Sequence, residues 1–166
     1  LGSATIADID AGDTKEARTM ALHSPQARKE VLRSRRWTCA TKREDLVLSS
    51  TQPDALDPFT YAYDLPDDFI RLLEVNNADA SQFEGSFLLE GATLLHNEDA
   101  VRIRYTWDND DPTTWDALLV DAVSLLLAAK AARNLTGSDT LETTIRQQYE
   151  RLTLPKAATA DGQQEN

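Results

Sequence analysis

The sequence predicts an α+β chain: a helical body, a small antiparallel β-rich module inserted in it, and a flexible C-terminal tail. Three observations predict this. Apolar residues recur at spacings of three and four near both ends. Eight of the eleven aromatic residues fall between Phe59 and Trp107, and aromatic side chains favour the pleated surface of a strand. Within that stretch apolar and polar residues alternate, the period of a half-buried strand.

Residues 1–50 read as helical. Asp13 is the expected N-cap, with Glu16 three residues on at capping-box spacing. Ala17, Met20, Ala21, Ala27, Val31 and Leu32 follow at helical spacing. Pro25 is expected to kink or break this helix, or to begin a second one capped by Ser24.

Residues 51–111 read as strands. Phe59, Tyr61 and Tyr63 alternate with Thr60, Ala62 and Asp64. Pro66 ends that strand, and Asp67 to Ile70 are expected to form one helical turn. Leu72 to Val75 is a strand. Phe87 to Leu95 is a tight hairpin turning at Glu90–Gly91. In Val101 to Trp107 the residues Val101, Ile103, Tyr105 and Trp107 should face inward, with Arg102 and Arg104 outward.

Residues 112–155 are helical again. Asp111–Pro112 pairs an N-cap with proline at the first helical position. Trp115, Leu118, Leu119, Ala122, Leu126, Ala129 and Arg133 trace one stripe, widened by Val120, Val123, Leu125 and Leu127. Such a helix packs against several neighbours. Gly137 is the expected C′ residue. Asp139, with Glu142 after it, should cap a last helix whose apolar face is Leu141, Ile145, Tyr149 and Leu152. Pro155 closes it. Residues 156–166 hold no large apolar side chain and read as the tail. The helical parts and the insertion are expected to form one domain, residues 1–155.

The 166 residues carry 17 Lys and Arg against 28 Asp and Glu, a net charge of −11. That disfavours a general nucleic-acid binder, which needs a basic surface to neutralise phosphates, and an anionic membrane surface as partner. The charge is uneven. Residues 51–111 alone hold 3 basic and 14 acidic residues. Arg28, Lys29, Arg33, Arg35, Arg36, Lys42 and Arg43 crowd the stretch before it. The most apolar run, Ala117 to Ala129, is too short and too polar to span a bilayer.

Catalytic or cofactor chemistry is not marked. Cys39 is the one cysteine, so no intrachain disulfide forms; it reads as a small buried side chain on a strand. One cysteine with His23 and His96 does not make a structural zinc site. Asp108 to Asp111 is the densest acidic cluster. A calcium loop counted from Asp108 fails, with Pro112 at position 5, Thr113 at position 6 and Leu119 at position 12. No catalytic, cofactor or metal residue is therefore expected, and the chain reads as an interaction protein rather than an enzyme. A hydrolase acting on cell wall or polysaccharide is the alternative from another class, since paired carboxylates are recognised by their spacing in space.

Several motifs resemble one family. Leu1–Gly2, Ile6, Ile9–Asp10 and Thr14 to Ala17 look like the opening of tail tubular protein A, the head-to-tail adaptor of short-tailed phages. Ala27 to Leu32 and Arg36 to Arg43 are similar to its R…L…W-x-F-A-x-R/K-R signature, with Cys39 where the family usually has Phe. Tyr61 to Asp68 is similar to its Y-x-Y-x-L-P-x-D motif. Trp115 to Ala117, the Leu/Ala-rich helix and Leu135 to Ser138 are similar to its C-terminal pattern.

The likeness spans about residues 1–155. It implies a structural virion protein without cofactor, assembled in the host cytoplasm and resident in the neck. Such a protein forms a ring, usually of twelve copies, between the portal protein and the tail nozzle, and DNA passes through its channel. It also implies a further short helix ahead of Leu1. A ring joins unlike faces of neighbouring copies. Arg28, Arg33, Arg35, Arg36, Lys42 and Arg43 are the expected subunit-interface residues, meeting acids of residues 51–111 on the next copy. Acid left over is expected where DNA must slide past. Lys156, Asp161, Gln164 and Asn166 of the tail are expected to dock on the portal.

Overall fold

A computed structural model describes residues 14–81 and 85–153. The chain divides into two compact units. One is helical and built from the segments up to Cys39 and from Asp110; the other, Ala40–Asn109, is inserted in it. The α+β reading holds. The insertion begins earlier than residue 51, because residues 41–45 and 47–48, expected to be helical, form strands. Thr41–Asp45 carries charge at four successive positions, which hides the β signal. It becomes a strand only because Arg102–Trp107 offers it a partner edge.

In the helical unit α1 spans Lys15–Ser34. Its cap is Thr14, one residue after the expected Asp13, with its hydroxyl accepting from the Ala17 amide at 3.0 Å. Pro25 neither breaks the helix nor starts a new one. It lies at an exposed position, where water can serve the freed carbonyl; Ala27, Val31 and Leu32 are buried. A 3-10 turn at Thr38–Ala40 follows and holds Cys39, half-buried and not on a strand.

Asp111 does cap a helical segment, but only a 3-10 turn, Pro112–Thr114. The chain then extends at Trp115, and Asp116 starts α2 (Ala117–Thr136) by accepting from the Leu118 and Leu119 amides at 2.7 and 2.9 Å. Two closely spaced acidic caps thus divide what reads as one start. Leu119, Ala122, Val123, Leu126 and Ala129 are buried, whereas Val120 is exposed.

Gly137 adopts φ +68°, as a C′ residue requires. Ser138, not Asp139, caps α3 (Asp139–Gln148), its hydroxyl accepting from the Leu141 amide at 3.2 Å. Glu142 instead pairs with Arg146 one turn on. A π-helical turn, Tyr149–Thr153, ends the described chain and buries Tyr149. Within this unit α1 and α3 both pack on α2, and Lys130 pairs with Glu30 at 2.7 Å.

Among its described residues the inserted unit has eight strands: β1 (Thr41–Asp45), β2 (Val47–Leu48), β3 (Tyr61–Asp64), β4 (Phe69–Val75), β5 (Ala78–Asp79), β6 (Phe87–Glu90), β7 (Thr93–His96) and β8 (Arg102–Trp107). They make two antiparallel sheets, ordered β1-β8-β4-β5 and β2-β3-β7-β6. Between β1 and β2 the chain changes sheet at Leu46, whose amide still donates to the Val101 carbonyl. Both sheets supply one core of Tyr63, Leu72, Val75, Leu94, Val101, Ile103 and Tyr105.

The expected helical turn at Asp67–Ile70 is a turn followed at once by β4. Phe69, Leu72 and Val75 reach the core at spacings of three because the β4–β8 register shifts twice. Arg102 and Arg104 face outward as expected. Arg104 pairs with Glu74 at 2.9 Å and Arg102 with Asp45 at 2.8 Å.

Phe59 does not share a side with Tyr63. It packs with Ala62 and Leu95 in a separate cluster. The β6–β7 loop is Gly91–Ala92, one residue beyond the expected turn, with Gly91 at φ +60°. The β4–β5 loop is Asn76–Asn77, both at positive φ, a hairpin turn that Asn tolerates.

Candidate functional site

Three features concentrate polar groups or exposed apolar groups: a groove on the inserted unit, the basic stretch, and the edges of the second sheet. The groove has a volume of about 560 Å³ and opens widely to solvent. Strand β1 supplies Lys42 and Glu44, and the turn before β4 supplies Asp67 and Asp68. Register puts Lys42 opposite Tyr105, on the core-facing side of an edge strand.

A chain of polar contacts follows. The Lys42 ammonium donates to Asp68 Oδ2 at 2.7 Å and sits 3.7 Å from the centre of the Trp107 ring. The Tyr105 hydroxyl shares its single hydrogen between Asp68 Oδ1 at 2.9 Å and Glu44 Oε2 at 3.0 Å. Burial, together with the hydrogen bonds to Asp68 and Glu44, pushes the Tyr105 phenol well above its ordinary value. The Tyr105 ring stacks on Phe69 at 5.8 Å.

The arrangement fastens the Asp67–Asp68 turn to β1. Both oxygens of Asp68 are engaged within the chain, and the groove around them is polar and acidic. The histidines lie elsewhere. His96 is buried, and its Nδ1 accepts from the Glu98 amide at 3.0 Å, so its neutral tautomer carries hydrogen on Nε2. His23 Nε2 lies 3.1 Å from the Asn134 amide.

The structure disperses the expected interface residues. Arg28 and Arg33 are on α1, and Arg35 and Arg36 follow its end. Lys42 and Arg43 belong to β1 of the other unit. Arg35 lies 5.0 Å over the Trp37 ring, and Lys42 is held by Asp68 and Trp107. Arg33 and Arg43 are exposed. The basic run in sequence is therefore not one helical face.

Lys156, Asp161, Gln164 and Asn166 lie outside the described residues. Asp111 serves its cap: hydrogen bonds from the Thr113 hydroxyl and amide hold its carboxyl below the usual range. Among the described residues no group of three or more His, Cys, Asp or Glu is placed to hold a metal ion. Also among them, no helix is long and apolar enough to cross a membrane.

The edges of the second sheet were not singled out by sequence. Val47 and Leu48 on β2 and Leu88 and Leu89 on β6 are exposed. Their signal was present as apolar residues on both sides of the pleat, but exposure depends on which strands end up outermost.

Of the residues that carry the family resemblance, Leu1, Gly2, Ile6, Ile9 and Asp10 lie outside the described residues, and three others make buried or networked contacts. Trp37 is fully buried, and its indole N–H donates to the Val31 carbonyl at 3.0 Å. Tyr63 is buried, and its hydroxyl donates to the Glu98 carbonyl at 2.6 Å. Asp68 anchors the groove network. Comparison with models of known protein families and with curated protein sequences finds no match.

Proposed function

We propose that this chain is a head-to-tail adaptor of a tailed phage, a non-catalytic virion subunit. It would assemble as a ring between portal and tail nozzle and line a channel for DNA. The observation that carries the reading is the ordered run of motifs from Leu1 to Ser138 that resembles tail tubular protein A. Two of those motifs hold the buried pivots Trp37 and Tyr63.

Charge fits the same reading. The inserted unit holds five Lys and Arg against 14 Asp and Glu, a net −9 of the chain's −11. An acidic wall lets DNA slide because it gives phosphates nothing to grip. Exposed Arg33 and Arg43 are the cations best placed to meet acids of a neighbouring copy. Assembly takes place in the host cytoplasm, and the finished ring resides in the virion neck.

Native mass measurement, alone and with the cognate portal protein, tests this. A discrete ring of about a dozen copies is expected. A chain that stays monomeric in both conditions would refute it. The Glu44–Tyr105–Asp68 cluster, two carboxylates bridged by one hydroxyl, is what favours the hydrolase reading. Polysaccharide or peptidoglycan turnover abolished by Glu44→Gln would establish that reading instead.

A further inference from the structure

We infer that neighbouring copies join through the two open edges of the second sheet. Strand β6 of one copy adds to β2 of the next, so that the sheet continues from subunit to subunit. This rests on the ring reading above and gives it a mechanism. The strands lie in the order β2-β3-β7-β6, and among the described residues neither β2 nor β6 pairs with a strand on its outer side. Such an edge presents N–H and C=O groups to any strand that approaches.

The two sheets treat their edges differently. In the first sheet, β1 carries Lys42, Arg43, Glu44 and Asp45, with Lys42 and Glu44 on the core-facing side. Charges on an edge, above all inward ones, oppose edge-to-edge pairing. In the second sheet the core-facing row Leu48–Tyr63–Leu94–Leu89 crosses all four strands. Its middle residues are 1% and 0% exposed, and its end residues are 49% and 39% exposed. A row that is dry in the middle and wet at both ends is completed by setting Leu89 of one copy beside Leu48 of the next. Each leucine then buries the other.

Strand direction selects the symmetry. Every neighbouring pair in this sheet is antiparallel, so β2 and β7 run one way and β3 and β6 the other. The strand number is even. A β2 added antiparallel to β6 therefore runs in the direction of the first copy's own β2. Copies joined in this way keep one polarity, as rotation about a single ring axis demands. Antiparallel pairing of β2 with β2, or β6 with β6, would reverse the second copy and stop at a two-fold dimer.

The test uses one edge-blocking lysine at a time, Leu48→Lys or Leu89→Lys, in the full chain. Each variant alone is expected to lose about tenfold or more in self-association, measured by light scattering and native mass. Mixed in equal amounts, with one isotopically labelled, they are expected to form discrete heterodimers. Leu48→Lys keeps an intact β6 edge, and Leu89→Lys keeps an intact β2 edge.

Cysteine trapping guards against a misfolded lysine variant. Leu48→Cys and Leu89→Cys, each in a Cys39→Ser chain, should form a disulfide with one another and not with themselves. Homodimers of either single variant would overturn the inference in favour of two-fold pairing. Rings that form from both lysine variants as from the natural chain would overturn it and leave the adaptor reading standing. A natural chain that never assembles, alone or on the portal, would overturn both.

Discussion

Tyr105→Phe isolates one hydroxyl whose surroundings fix what its loss should cost. The ring stays, so the buried apolar area and the stacking on Phe69 at 5.8 Å are kept. Only the hydrogen shared between Asp68 and Glu44 disappears. A hydrogen bond to a charged group contributes ~1.5–3 kcal/mol. The shared hydrogen counts once, and the Asp68 side chain is 32% exposed, so water takes over much of the loss. The expected destabilisation is about 1–1.5 kcal/mol, read by urea denaturation of the full chain at neutral pH.

The same variant has an alkaline signature. The Tyr105 pKa is raised in the folded chain, so the fold favours the neutral phenol. Stability from this group is fully present below the ordinary value of 10.0. Above that pH the unfolded phenol ionises while the folded one does not, and stability falls by about 1.4 kcal/mol per pH unit. Burial raises Tyr63 and Tyr149 as well, so the natural chain loses stability steeply in alkali. Tyr105→Phe should lessen that slope. A variant as stable as the natural chain, with an unchanged alkaline slope, would refute the network around Tyr105.

Trp37→Ala removes a fully buried ring and orphans the Val31 carbonyl contact, and should cost about 3–5 kcal/mol, seen as loss of helix in a circular dichroism melt. Gly137→Ala meets no atom within 4 Å, so its cost is the left-handed backbone alone, about 1–2 kcal/mol, and Gly137→Asn should cost less. Asp111 has a lowered pKa, so its contribution is present above the ordinary value of 3.8 and fades as pH falls through the folded value. Asp111→Ala should therefore flatten the acid limb of stability, and an unchanged limb would show that its bonds to Thr113 do not form in solution.

Local chemistry made the helices readable. Hydrophobic spacing reports one face of one element, so α1, α2 and α3 are visible before folding. Capping was legible only to within a residue, as Thr14 and Ser138 show. Adjacent Ser, Thr and Asp side chains can each serve, and small differences in backbone geometry select one. The Asn76–Asn77 turn went unread because positive φ is not exclusive to glycine.

The candidate site was less visible. The basic run from Arg28 to Arg43 looks continuous in sequence, yet the chain passes from a helix into a strand of another unit within it. Charge counts do not record such a transition. Strand β1 illustrates the same limit, since nothing in Thr41–Asp45 favours a strand except the strand waiting beside it.

The sequence by itself determined the α+β class, the helical flanks, the aromatic strands and the acidic excess between them. Those properties follow from composition and from periodicity along the chain. Tertiary structure alone decided that Lys42, Asp68, Tyr105 and Glu44 meet, and that β2 and β6 lie outermost with leucines at both ends of one row. Strand order is set by long-range pairing, such as that of Thr41 with Thr106 across β1 and β8. No local pattern encodes which edge will be left open.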